Sequence, residues 1–159
     1  MREENFETAQ KEMDRLDKYY PTSDLSHIYK KHRDQIISIV NCVEEIKKNK
    51  EISDSNLQIL EQGIRNSWEE VFYYQAGRYL CEFSFKYDNA KELFYHLSND
   101  KDYKVRFRAV TILLHKPRKK MIKDILKKAL NDKSQIVREK AEDVLYRLNA
   151  DRRFCKIRI

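Results

Sequence analysis

The stretch Asn99–Leu114, NDKDYKVRFRAVTILL, returns 32 residues later as Asn131–Tyr146, NDKSQIVREKAEDVLY. Val105, Ala109 and Leu113 of the first copy take the places of Val137, Ala141 and Leu145 in the second. A fainter copy lies 33 residues upstream, where Phe72, Ala76 and Leu80 hold the same positions. Spacing of four places each trio on one face of a helix. The segment before each copy supplies three more columns: Leu57, Ala90 and Ile122; Leu60, Leu93 and Ile125; Ile64, Leu97 and Ala129. Apolar columns recurring at a fixed period signal helical hairpins stacked into an array, each burying its apolar face against the next. Arrays of this kind hold a partner more often than they carry out a reaction.

Composition agrees. The chain has two glycines and two prolines in 159 residues and no Asn-Gly or Pro-Gly dipeptide, so the turns of a β-rich fold are missing. Charged residues reach 37%, but the apolar residues recur with a helical period, which argues against disorder. The expectation is one all-α domain over 1–159. Its hairpins would occupy 53–87, 88–116 and 117–149, ahead of a basic tail at 150–159. Ser53-Asp54-Ser55 offers oxygens to start the first hairpin, and Ser67-Trp68-Glu69-Glu70 reads as a capping box. Trp68 reads as a cap on the adjacent hairpin's core, with a stacking role the lesser alternative.

Residues 1–50 lack the repeat pattern. Phe6, Ala9, Met13, Leu16 and Tyr20 form one amphipathic stripe over 3–20, which Pro21 ends. Ile28, His32, Ile36, Ile39, Val40, Val43 and Ile46 form another over 24–48. Together they read as a two-helix cap closing the end of the array.

No apolar run approaches the roughly 20 residues that cross a bilayer, and the start MREENFETAQKEMD has no signal-like apolar core. A cytoplasmic protein with no membrane role is expected. Cys42, Cys81 and Cys155 lie far apart without CxxC spacing, which favours reduced thiols over disulfides or zinc. His27 and His32 are five apart and miss the i, i+4 geometry of paired ligands; His96 and His115 sit beside core positions. Gly63 and Gly77 fall inside helical patterns, so there is no phosphate loop or dinucleotide fingerprint. No catalytic residue, metal or cofactor is expected.

Asp100-x4-Val105-Arg106-x2-Ala109-x3-Leu113 and Asp132-x4-Val137-Arg138-x2-Ala141-x3-Leu145 resemble HEAT repeats, particularly the short bacterial form also seen in phycobilin lyases. The resemblance is specific over 93–148, plausible over 56–86 and absent before residue 50. It implies an α-α superhelix of hairpins in which the aspartate lies at the turn and the arginine bonds to it or to its neighbour's counterpart. Asp100, Arg106, Asp132 and Arg138 would form that ladder. Ser67 and Tyr73 replace the pair in the upstream copy, so the ladder should stop there. Ankyrin and tetratricopeptide signatures are not kept at period.

At about 100° per residue, offsets of +2, +5, +6 and +9 from the buried valine point away from the core of each second helix. That strip is expected to line the concave surface of a solenoid. It carries Tyr74, Gly77, Arg78 and Cys81, then Phe107, Val110, Thr111 and Leu114, then Glu139, Glu142, Asp143 and Tyr146. Either the N-terminal helices or the tail cover these residues, or they anchor a partner.

Charge is uneven. Residues 51–100 balance at −5 and residues 101–159 at +12. Lys119, Lys120, Lys123 and Lys127 stand on a lysine-rich helix whose apolar stripe is Ile122, Ile125, Leu126 and Ala129. Such a face is a solvated one or a contact for phosphates.

Two functions are expected to compete. The first is a non-catalytic protein-binding module using Tyr74, Arg78, Phe107, Val110, Leu114, Glu139, Glu142 and Tyr146. A bacterial immunity protein that neutralises a toxin domain, or an adaptor, would be of this kind. The second is nucleic-acid binding through the lysines, as the resemblance to HEAT-like DNA glycosylases implies. Against it, Glu139, Glu142 and Asp143 would repel phosphates on the expected concave strip. A chromophore-handling enzyme like the phycobilin lyases shares only the repeat consensus.

Overall fold

The computed structural model describes residues 24–66 and 70–150, together with Lys11, Arg15 and Lys18. Seven α-helices and no strand are found among the described residues. They are α1 (Asp24–Asn49), α2 (Asp54–Arg65), α3 (Glu70–Phe83), α4 (Asp88–Ser98), α5 (Tyr103–Ile112), α6 (Lys119–Ala129) and α7 (Gln135–Ala150). A 3-10 turn, Leu113–His115, follows α5. The described part of the chain is therefore all-helical, in line with its composition. The stripe over 3–20, the side chains of Ile28, His32 and Phe72, the capping box at Ser67–Glu70 with Trp68, and the basic tail lie outside the described residues.

Local chemistry sets the helix ends. Ser53 caps α2: its hydroxyl accepts from the Asn56 amide at 3.2 Å, and the Asn56 side chain accepts from the Ser53 amide at 3.0 Å. Asn56 also donates to Glu45 Oε2 at 3.1 Å, which ties this cap to α1. Asp102 caps α5 by accepting from the Lys104 amide at 2.9 Å. Helix α3 ends at Phe83, four residues short of the expected hairpin boundary at 87, and the Ser84 hydroxyl donates to the Cys81 carbonyl at 2.7 Å. Two lysines, Lys50 and Lys116, hold left-handed backbone at the ends of α1 and of the 3-10 turn, with φ of 56° and 60°.

Consecutive helices pack on one another, and every second helix also packs on the next but one: α2 on α4, α4 on α6, α3 on α5 and α5 on α7. The apolar columns fill the space between them. Ala76, Ala109 and Ala141 are fully buried, as are Leu60, Ile64, Ala90, Leu97, Leu113, Ile122 and Val137. Full burial of each large side chain stabilises by about 1.5–3 kcal/mol. Leu57, Leu93 and Leu145 are half-buried members of the same columns. Backbones come closest at the small residues. A Cβ on Gly63 would sit 2.9 Å from Ala76 Cβ, and one on Gly77 would sit 2.5 Å from Ile112 Cδ1.

Candidate functional site

The outer strip of the second helices is open at one end only. Glu139, Glu142 and Tyr146 on α7 are exposed, Tyr146 at 74%. Phe107 and Leu114 are half-buried, with Lys140 Nζ 5.2 Å from the Phe107 ring. Tyr74 is half-buried against His115, ring centroids 4.0 Å apart, and the His115 Nε2 lies 3.1 Å from the Tyr74 carbonyl oxygen. Arg78 is half-buried with its guanidinium over the Tyr79 ring.

Val110 departs from expectation. It is 1% exposed and cannot meet a partner; Gly77, Thr111 and Cys81 of the same strip are buried with it. The reason is lateral packing. A second helix here touches its hairpin partner and also second helices beside it, so offsets of +5 and +6 face neighbours. Gly77 lies under Ile112, and the Cys81 thiol is 3.6 Å from the Ile112 carbonyl oxygen. The 3-10 turn packs on both α3 and α7 and covers more of the strip.

The Asp–Arg ladder is built from both ends of each turn. Arg106 forks onto Asp132, Nε to Oδ2 and Nη2 to Oδ1, both at 2.7 Å. Its Nη1 donates to the carbonyls of Asp100 and Lys101 at 2.7 and 3.0 Å. Arg138 repeats the second contact, donating to the Asp132 carbonyl at 2.6 Å. Asp100 Oδ1 and Asp132 Oδ1 each accept an amide two residues on, from Asp102 and Ser134, at 2.8 Å. The ladder does not stop at Asp100: Arg65, in the last turn of α2, pairs with Asp100 Oδ2 at 2.6 Å. Its place within α2 rather than α3 hid it from the repeat register. Arg108 was hidden too; it donates to the Ile64 carbonyl at 2.8 Å and to that of Arg65, closing the C-terminus of α2.

These pairs shift the acids. The Arg106 hydrogen bonds hold the Asp132 carboxyl below its usual range against the effect of burial, with help from the Ser134 amide. Burial works to raise Asp100, but Arg65 and the Asp102 amide together bring it below its usual range. A guanidinium locked to a carboxylate and two carbonyls has few donors left for a ligand, so the ladder's chemistry is structural.

Lys119, Lys120, Lys123 and Lys127 are all exposed on α6. The single acid of that helix, Asp124, accepts from the Tyr95 hydroxyl at 3.0 Å. The thiols are buried: desolvation pushes Cys42 up to about 11 and raises Cys81 further. No group of three or more His, Cys, Asp or Glu suited to a metal occurs among the described residues, nor does any helix long and apolar enough to cross a membrane.

Two shallow clefts mark the edges of the helical layers. One, of about 350 Å³, lies at the ladder between Ser98–Lys101 and Lys128–Lys133. The other, of about 300 Å³, lies between the end of α1 and the end of α3. Comparison with known proteins finds no family model, curated protein or solved structure that matches the chain.

Proposed function

We propose that the chain is a HEAT-like helical-repeat module, a superhelical array of hairpins, that binds another protein without chemistry of its own. The observation that carries this reading is the exposed stripe of α7. Gln135, Glu139, Glu142 and Tyr146 recur at helical spacing on one face, and Tyr146 stands 74% out in solvent. A tyrosine among carboxylates, on a helix whose Lys140 reaches the half-buried Phe107 ring, suits a partner with a basic surface and an apolar pocket. A basic toxin domain blocked by an immunity protein is one partner of that chemistry. The arginine ladder supports the reading because it fixes each turn to the next and keeps the stripe rigid.

The test is capture from native extract with wild-type protein and with Tyr146→Ala/Glu142→Lys. Loss of one basic partner in the variant, with Lys123→Gln/Lys127→Gln unaffected, supports the stripe. Retention of the partner by the stripe variant, or a partner with an acidic surface, overturns it.

A second reading, nucleic-acid binding through α6, draws on a separate observation: Lys119, Lys120, Lys123 and Lys127 are exposed, and Asp124 beside them is engaged by Tyr95. Binding to duplex DNA or RNA that weakens steeply with salt supports it; no retention at modest ionic strength ends it.

A further inference from the structure

The connections between successive helical pairs lie side by side. Asn89, in the first turn of α4 just after the α3–α4 connection, donates to the Ile52 carbonyl of the α1–α2 connection at 3.3 Å. Arg118 of the α5–α6 connection donates to the Phe85 carbonyl at 2.5 Å and places its guanidinium 5.9 Å from that ring. The three connections therefore form one edge of the molecule, opposite the ladder.

That edge is basic where local physics prefers other residues. Lys50 and Lys116 occupy left-handed positions after helix ends, which glycine or asparagine fills with less strain, and they are the only such non-glycine residues described. Arg118, Lys119 and Lys120 stand at the cap and first turn of α6, where the helix dipole disfavours cations; that turn holds no acid, and Arg118 makes no capping bond. Helix ends explain Lys47 and Lys48 by themselves, but not these five. Glu51, Asp54, Glu82 and Asp88 are the described carboxylates at the connections and adjoining helix ends, half as many as the lysines and arginine there.

Rings are interleaved with the cations. Phe85 is 45% exposed, and the 300 Å³ cleft is lined by Ile46, Phe83 and Tyr87 together with Lys47, Lys50 and Lys86 and one carboxylate, Glu82. Phosphates at regular intervals with a planar ring between them match this alternation.

We infer that this edge binds single-stranded nucleic acid, with Lys50, Lys86 and Arg118 on phosphates and Phe85 against a base. Neighbouring helices lie about 8–10 Å apart, so three connections follow a few nucleotides of an extended strand. The inference deepens the second reading above, moving its site from the face of α6 to this edge.

The experiment is fluorescence anisotropy of the full chain with labelled 20-nucleotide oligo-dT and oligo-rU between 50 and 200 mM salt. With these three phosphate contacts the slope of log K against log salt is about −2.1, a loss of about 18-fold over that range. Lys50→Gln/Lys86→Gln/Arg118→Gln should flatten the slope by about 2. Phe85→Ala should weaken binding about fivefold or more with the slope kept. Lys123→Gln/Lys127→Gln should bind as wild type. If the α6 variant carries the loss while the edge variant is silent, the second reading stands and the edge is wrong. Equal affinity for a duplex of the same length overturns the inference, as does capture by phosphatidylserine vesicles without oligonucleotide binding. No binding at 50 mM salt overturns both. Circular dichroism confirms that each variant is folded; should the triple variant unfold, the single substitutions are read.

Discussion

Replacing Asp132 by Asn tests whether the ladder stiffens the fold. The carboxylate takes two hydrogen bonds at 2.7 Å from Arg106, a residue only 5% exposed, and a third at 2.8 Å from the Ser134 amide. Asn keeps one oxygen for Ser134 but turns an NH2 toward the guanidinium and removes the charge. Breaking a buried pair from one side costs about 3–5 kcal/mol. Arg106 keeps its bonds to the Asp100 and Lys101 carbonyls, so a loss of about 2–3 kcal/mol is expected, a large share of the ~5–15 kcal/mol that stabilises a domain. In urea, with m near 2 kcal/mol/M, the midpoint should fall by about 1–1.5 M. Asp143→Asn is the control. Its carboxylate pairs with Lys140 and Arg147 at 3.3 and 2.9 Å but is a third exposed, so it should cost under about 1 kcal/mol. The pH dependence carries the same sign. The Asp132 and Asp100 carboxyls sit below their usual range when folded, so their stabilisation is complete above the unfolded value near 3.9 and disappears as pH falls through the lower folded values. Asp132→Asn should shrink that acid limb. A midpoint shift below about 0.3 M, or one matching Asp143→Asn, would refute the ladder as a support.

Gly77→Ala puts a Cβ 2.5 Å from Ile112 Cδ1; overpacking of about 1–3 kcal/mol exceeds the roughly 1 kcal/mol gained in helix propensity. Thermal unfolding should drop by a few degrees, and a rise in Tm would show that Ile112 yields freely. Cys42 and Cys81 are buried, with their thiols pushed up by desolvation; peptide mapping after alkylation at pH 8 should find both unmodified in the native protein and modified in urea. Burial lowers His115 despite its bond to the Tyr74 carbonyl, and Arg78 adds to the effect. Its neutral ring therefore contributes stability present above the unfolded value near 6.5 and lost as pH falls through the folded one. An NMR titration midpoint at or above the free-histidine value would contradict this packing.

Much of the fold was legible because burial is written in the columns. Ala76, Ala109 and Ala141 fall at one register and are all fully buried, as chance apolar residues would not be. Boundaries were less legible because single side chains decide them. Ser84 turns back to the Cys81 carbonyl and ends α3 early, and the 3-10 turn at Leu113–His115 interrupts a pattern that read as continuous helix. Arg65 escaped notice for a related reason. Asp100 takes its guanidinium from the last turn of α2, while the register position on α3 holds Tyr73.

The misplacement of Val110 follows from how a helical wheel treats its surroundings. A wheel assumes one buried side and one free side, whereas α5 lies between α3 and α7 and rests on α4. With α2 and α6 packed on it as well, five neighbouring helices leave only a narrow free arc, and offsets of +5 and +6 fall outside it. Helix α7 has α5 on one flank and no further described second helix on the other, so the same offsets emerge as exposed Glu142 and half-buried Asp143. Where helices pack on several neighbours in this way, the middle of a face is spent on lateral packing, and exposed side chains concentrate on α7 and at the turns. The α7 stripe and the basic edge occupy those two kinds of place, and substitutions there should alter binding while the buried columns keep the fold.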